Sequence, residues 1–165
     1  MTRLDDFNAA DRQECLDLLL ACVAIPRWAA EVADGRPYAD AGAAARRARE
    51  AADPWTAGEL DAALSRHPRI GERAEGHEAD AAHSRREQAG VATAEAEVLR
   101  RLTEGNKAYE DRFGHVFLIR AAGRSPEEIL EALEERMTND PQTERRVLAE
   151  QLREIAVLRL EGALQ

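Results

Sequence analysis

Val116-Phe117-Leu118-Ile119 decides the fold of this 165-residue chain. It is a short apolar run of strand-like propensity, and no second comparable run exists to pair with it. A sheet needs at least two strands, so the run is expected to be one short buried extended segment in an otherwise helical protein. Its backbone amides and carbonyls then lack ladder partners and must find others, for which a ligand is one candidate.

The flanks of this run read as helices. A long helix is expected from about Thr93, with Val98, Leu102, Tyr109 and Phe113 on its buried side and an end near Gly114. Beyond Gly123, Ser125-Pro126-Glu127-Glu128 is a strong helix start leading into Ile129, Leu130, Leu133 and Met137. Asn139-Asp140-Pro141 closes that helix and opens the last one. There, Leu148, Leu152, Ile155 and Arg159 fall at i, i+4, i+7 and i+11 on one narrow face. An arginine in a core stripe is either a snorkelling or ion-paired side chain, or a guanidinium held in a pocket to engage a carboxylate.

Towards the N-terminus, Asn8 is a candidate cap for a first helix whose Cys15, Leu18, Leu19, Cys22 and Val23 form a core-facing stripe up to Ile25. Pro26 starts a short helix that carries Trp28 and ends at Gly35, where a left-handed conformation is cheap. Arg36-Pro37-Tyr38 is an extended exit. The Ala- and Arg-rich run from Asp40 to Ala52 is helical by propensity and, with few large apolar residues, is expected on the outside. Asp53-Pro54-Trp55 breaks the chain. Thr56 and Glu59 form a capping box for a helix that carries Leu60, Ala63 and Leu64 into His67.

Composition sets the limits. Hydrophobic residues are 44%, charged residues 33% and aromatics 4%, so the core must come from Ala, Leu, Val and Ile on helices. The expectation is an all-α protein: a single-domain compact bundle of about seven or eight helices over 1–165, with no internal repeat or linker. A net charge of −9 argues against a nucleic-acid partner, which needs a basic surface. Cys15 and Cys22 are about 10.5 Å apart along a helix axis, beyond disulfide reach. With no leader, no long apolar run and no peroxisomal address in Glu161-Gly162-Ala163-Leu164-Gln165, the expected location is the cytoplasm and no membrane partner is expected.

The candidate chemistry centres on His67-Pro68-Arg69-Ile70-Gly71-Glu72 and Ser84-Arg85-Arg86-Glu87-Gln88. Because the residue before proline is pushed out of the α region, His67 should close its helix and project from a stiff corner. Glu87 falls in what reads as the first turn of a new helix, so the two form a possible acid/base pair. The plainer alternative is that His67 ends a helix near its negative pole and that Ser84-x-x-Glu87 is a capping box. Residues 71–83 contain no large apolar side chain and are expected to be a mobile surface loop. His67, His77, His83 and His115 show no metal-ligand spacing, so no metal is expected. Neither cysteine lies near a histidine in sequence, and both read as core residues.

Several motifs in order carry a resemblance: His67-Pro68-Arg69-Ile70-Gly71, Ser84-Arg85-Arg86-Glu87-Gln88, Asn106-x-x-Tyr109 with Arg112 through Ile119, and Leu158-Arg159-Leu160. Ile25-Pro26-Arg27-Trp28-Ala29 and Arg36-Pro37-Tyr38 agree with them. Together they resemble the OHCU decarboxylase family of urate degradation along nearly the whole chain. The resemblance implies an all-helical, cofactor-free homodimer that converts 2-oxo-4-hydroxy-4-carboxy-5-ureidoimidazoline to (S)-allantoin and carbon dioxide. His67 and Glu87 match its catalytic pair and Arg159 its active-site arginine. By the same likeness the small-molecule substrate would be held by Pro68, by Ser84, Arg85, Arg86, Glu87 and Gln88, and by main chain over Ile119, Arg120, Ala121, Ala122 and Gly123. Arg120 and Ala122 stand in a variable part of that segment, and residues 73–82 match nothing in the family. A reading from another class is a helical dimerisation or interaction module without catalysis.

Overall fold

The computed structural model describes residues 2–67 and 96–165, which form eight helices and no strand. These are α1 (Arg3–Ala9), α2 (Arg12–Cys22), α3 (Pro26–Asp34), α4 (Ala41–Ala51), α5 (Ala57–Arg66), α6 (Ala96–Phe113), α7 (Pro126–Arg136) and α8 (Pro141–Leu164). They fall into two units, Met1–Ala63 with Arg153–Gln165, and Leu64–Leu152.

In the first unit the N-terminal stretch is two helices, so Asn8 is not the cap. It lies inside α1, and its side-chain amide pairs with the main chain of Tyr38, accepting from the amide and donating to the carbonyl, both at 2.9 Å. Asp11 starts α2 instead, accepting from the Glu14 amide at 2.8 Å. The expected stripe is buried at Cys15, Leu19, Cys22, Val23 and Ile25, while Leu18 is half-buried. Pro26 occupies the first turn of α3, and Gly35 closes it with φ −79°, so the expected left-handed cap is absent. Space explains this glycine: a Cβ there would collide with the Tyr38 phenol, whose hydroxyl donates to the Val32 carbonyl at 2.6 Å.

Helix α4 corrects the expectation that the alanine-rich run lies outside. Ala44, Ala45, Ala48 and Ala51 are buried, and the α4 backbone comes close enough to α3 for Trp28 Nε1 to donate to the Ala48 carbonyl at 2.9 Å. Small residues here make room for a large partner, and Trp28 at 0% exposure supplies the bulk. Arg46 and Arg49 keep to the exposed side.

The second unit is organised by α6 packed against α7. Leu102, Tyr109, Phe117, Ile119, Ala121, Ile129, Leu130 and Leu133 share one core, with Val98, Phe113 and Met137 against its edge. Gly105 permits the approach, since a Cβ would lie 2.5 Å from Leu133 Cδ2. The expected helix start at Ser125 is present, and Ser125 and Glu128 make a capping box there. The described part of α6 begins at Ala96; Thr93 lies outside the described residues, as does the whole of 71–83.

Candidate functional site

The helix that delivers His67 is fixed at its start. Thr56 accepts from the Glu59 amide at 3.1 Å, and the Glu59 carboxylate accepts from the Thr56 amide at 2.9 Å. The same carboxylate takes a two-pronged bond from Arg27, Nε at 2.7 Å and Nη2 at 2.9 Å, which ties α5 to α3. That hydrogen bond from Arg27 holds the Glu59 carboxyl below the usual range. Leu60, Ala63 and Leu64 are buried along α5. His67 follows the last turn, donating its amide to the Leu64 carbonyl at 3.4 Å, with a half-buried side chain whose Nε2 is shielded from solvent. Pro68, Ser84, Arg85, Arg86, Glu87 and Gln88 lie outside the described residues, as do His77 and His83.

The run 116–119 lies outside any helix or strand, and Phe117, Leu118 and Ile119 are buried at 2%, 4% and 4% exposure. Its main chain is met by side chains. Arg136 Nη1 donates to the Leu118 carbonyl at 2.8 Å, and the Arg120 amide donates to Gln151 Oε1 at 2.9 Å. At these two groups the partner is a protein side chain. Farther on, Arg120 Nη1 donates to the Ala122 carbonyl at 2.6 Å and Arg124 Nε to the Arg120 carbonyl at 2.9 Å. Gly114 and Gly123, with φ of 80° and 81°, bracket the segment in the left-handed region where a side chain would be strained. Ile119 and Ala121 face the core, Arg120 is half-buried, and Ala122 and Gly123 are exposed.

Arg136 belongs to a buried polar cluster that sequence reading overlooked. Glu144, at 0% exposure, accepts from Arg136 Nε at 2.9 Å and Nη2 at 2.7 Å, from Asn139 Nδ2 at 3.2 Å and from the Tyr109 hydroxyl. Burial and this bond to Glu144 push the Tyr109 phenol far above its ordinary pKa. The Arg136 guanidinium also lies over the Phe117 ring, 4.4 Å from its centroid. A signal was present: Glu144 stands four residues before Leu148, and Arg136 seven after Ile129, on the stripes of their own helices.

Arg159 lies in the first unit. It is 4% exposed and its Nη1 donates to the Cys22 carbonyl at 2.9 Å. Its burial agrees with its place on the stripe, and one of its donors meets a main-chain carbonyl. Cys15 and Cys22 are buried and not joined to each other; burial raises the Cys15 thiol pKa. Among the described residues no group of three or more His, Cys, Asp or Glu could hold a metal, and no helix is long and apolar enough to cross a membrane.

Comparison with known proteins places these features in a family. The model of the OHCU decarboxylase family matches residues 8–161. A 2-oxo-4-hydroxy-4-carboxy-5-ureidoimidazoline decarboxylase of Amia calva is 34% identical over 142 residues, covering 85% of this chain and 81% of that protein. A uric acid degradation bifunctional protein of Bacillus sp. (strain TB-90) is 26% identical over 98% of this chain, which spans 32% of its length. The crystal structure of an OHCU decarboxylase in the presence of (S)-allantoin aligns with a TM-score of 0.73 at 29% identity, covering 88% of this chain and 96% of that one. The chain belongs to the OHCU decarboxylase family, whose members are carboxy-lyases.

Proposed function

We propose that this chain decarboxylates 2-oxo-4-hydroxy-4-carboxy-5-ureidoimidazoline to (S)-allantoin in urate degradation, with His67 and Glu87 as the acid/base pair and Arg159 as the active-site arginine. The family match over residues 8–161 carries this reading, and it supports taking the whole of 1–165 as one catalytic domain. The bond from the ring carbon to the carboxylate breaks, carbon dioxide leaves, and the electron pair passes into the adjacent carbon–nitrogen double bond. The substrate therefore has its own electron sink and no cofactor or metal is needed. The hydroxyl on the former carboxyl-bearing carbon loses its proton as that carbon becomes a carbonyl, one proton is added at the neighbouring carbon, and one more goes to the nitrogen that received the electron pair, the net proton taken up when a carboxylate leaves as carbon dioxide. His67 stands at the hydroxyl as general acid/base. Glu87 binds the ureido and ring nitrogens and shares in the stereospecific proton delivery. Arg159 orients Glu87 or the anionic edge of the substrate.

Pro68, Ser84, Arg85, Arg86 and Gln88, with the main chain from Ile119 to Gly123, complete the binding site in this reading. The protein acts as a homodimer in the cytoplasm. Two buried thiols outside any mutual disulfide suit a reducing compartment. The test is to generate the labile substrate in situ from urate and follow chiral allantoin by circular dichroism. The expected result is rapid (S)-allantoin formation that survives metal chelators. Racemic allantoin at the uncatalysed rate overturns the assignment, and loss on chelation restored by zinc overturns its cofactor-free form.

A further inference from the structure

We propose that Arg136 and Gln151 are positioning residues for substrate binding, acting through the main chain of 119–123; the inference rests on the reading of that segment as part of the binding site. An irregular segment has no neighbouring strand to fix its carbonyls and amides, so its precision must come from elsewhere. Here two side chains grip it on either side of Ile119. Arg136 holds the Leu118 carbonyl at 2.8 Å, and Gln151 holds the Arg120 amide at 2.9 Å.

The first grip is stiff because of what lies behind it. Arg136 is 6% exposed, and its Nε and Nη2 are spent on a Glu144 carboxylate at 0% exposure, leaving Nη1 directed at Leu118. The planar fork reaches both partners at once, with the Phe117 ring packed beneath it. The second grip comes from α8, whose first turn also carries Glu144. The buried ion pair thereby has a use beyond stability, since it sets the register of the backbone that meets the substrate. Neither side chain needs to touch the substrate.

Two variants separate positioning from support of the fold. In Gln151→Leu the half-buried side chain loses its acceptor, and in Arg136→Lys the compact ammonium stays with Glu144 but cannot also serve Leu118. Each is expected to raise KM about tenfold with kcat within about twofold, the pattern of lost binding shared by ground and transition states. Calorimetry with (S)-allantoin should show the same weakening. Ile129→Val, a core truncation in the same unit, should lower Tm and leave KM unchanged. Folded Gln151→Leu with wild-type KM and wild-type affinity for (S)-allantoin overturns the inference, and so does a KM that rises equally in Ile129→Val. If Arg136→Lys does not fold, Gln151→Leu decides alone. A wild-type protein that forms no allantoin brings down the parent reading instead, and this inference with it.

Discussion

Helix α8 carries a charged residue at each end of one buried face, and the two are held in different ways. Glu144 is enclosed by a guanidinium, a phenol and an amide, so its charge is answered within the protein. Arg159 is almost as deeply buried, and its Nη1 donates to the Cys22 carbonyl, a neutral acceptor that fixes the orientation of that nitrogen. The first arrangement is a buried ion pair, and the second is a guanidinium oriented at Nη1 by main chain. Burial alone does not distinguish them; the chemistry of the partner does.

The contrast breaks most visibly at Glu144. Arg136→Met leaves a buried carboxylate without its guanidinium, and urea unfolding should show a loss of about 3–5 kcal/mol. Arg136→Met with Glu144→Leu removes both charges and should recover most of that loss. A single variant as stable as wild type contradicts the closed-pair description. At the other end, Arg159→Met should keep or raise Tm while cutting kcat/KM by about 10- to 100-fold, the scale of a charged hydrogen bond to substrate. Full turnover at both low and saturating substrate returns Arg159 to the core.

The smallest effect sharpens the Glu144 end through pH. The folded-state pKa of Tyr109 is raised, so the native state favours the protonated phenol. Its contribution is fully present below the unfolded value near about 10 and falls away as pH rises beyond it. Tyr109→Phe should cost about 1 kcal/mol at neutral pH and flatten the alkaline loss of stability. An unchanged alkaline slope, measured by denaturation between about pH 9 and about pH 11, about one unit either side of the ordinary phenol value, counts against the buried bond to Glu144.

Much of this was legible in residue order. Capping pairs such as Thr56 with Glu59 and Ser125 with Glu128 are local, and local signals placed helix starts well. Where the outcome turned on distant partners, sequence reading failed. Ala44 and Ala48 looked too small for a core because Trp28, which fills the space against them, lies on another helix. Asn8 had a capping side chain but a better use at Tyr38. The stripe through Leu148 and Leu152 runs to Arg159 in one direction, and one step the other way it reaches Glu144. In the site, the pre-proline corner marked His67 on physical grounds, whereas Arg120 and Ala121 entered through family resemblance alone. No periodicity announces that a backbone will be gripped by Arg136 and Gln151.

His67→Asn, assayed beside wild type on in situ generated substrate, bears most directly on the account. The variant should keep its helical circular dichroism and Tm, because the residue follows the last turn of α5 and sits outside the core. Its kcat should fall by about 10²–10⁴, the usual contribution of a positioned acid/base group. A folded His67→Asn protein that yields (S)-allantoin at the wild-type rate contradicts the claim that this histidine carries the proton.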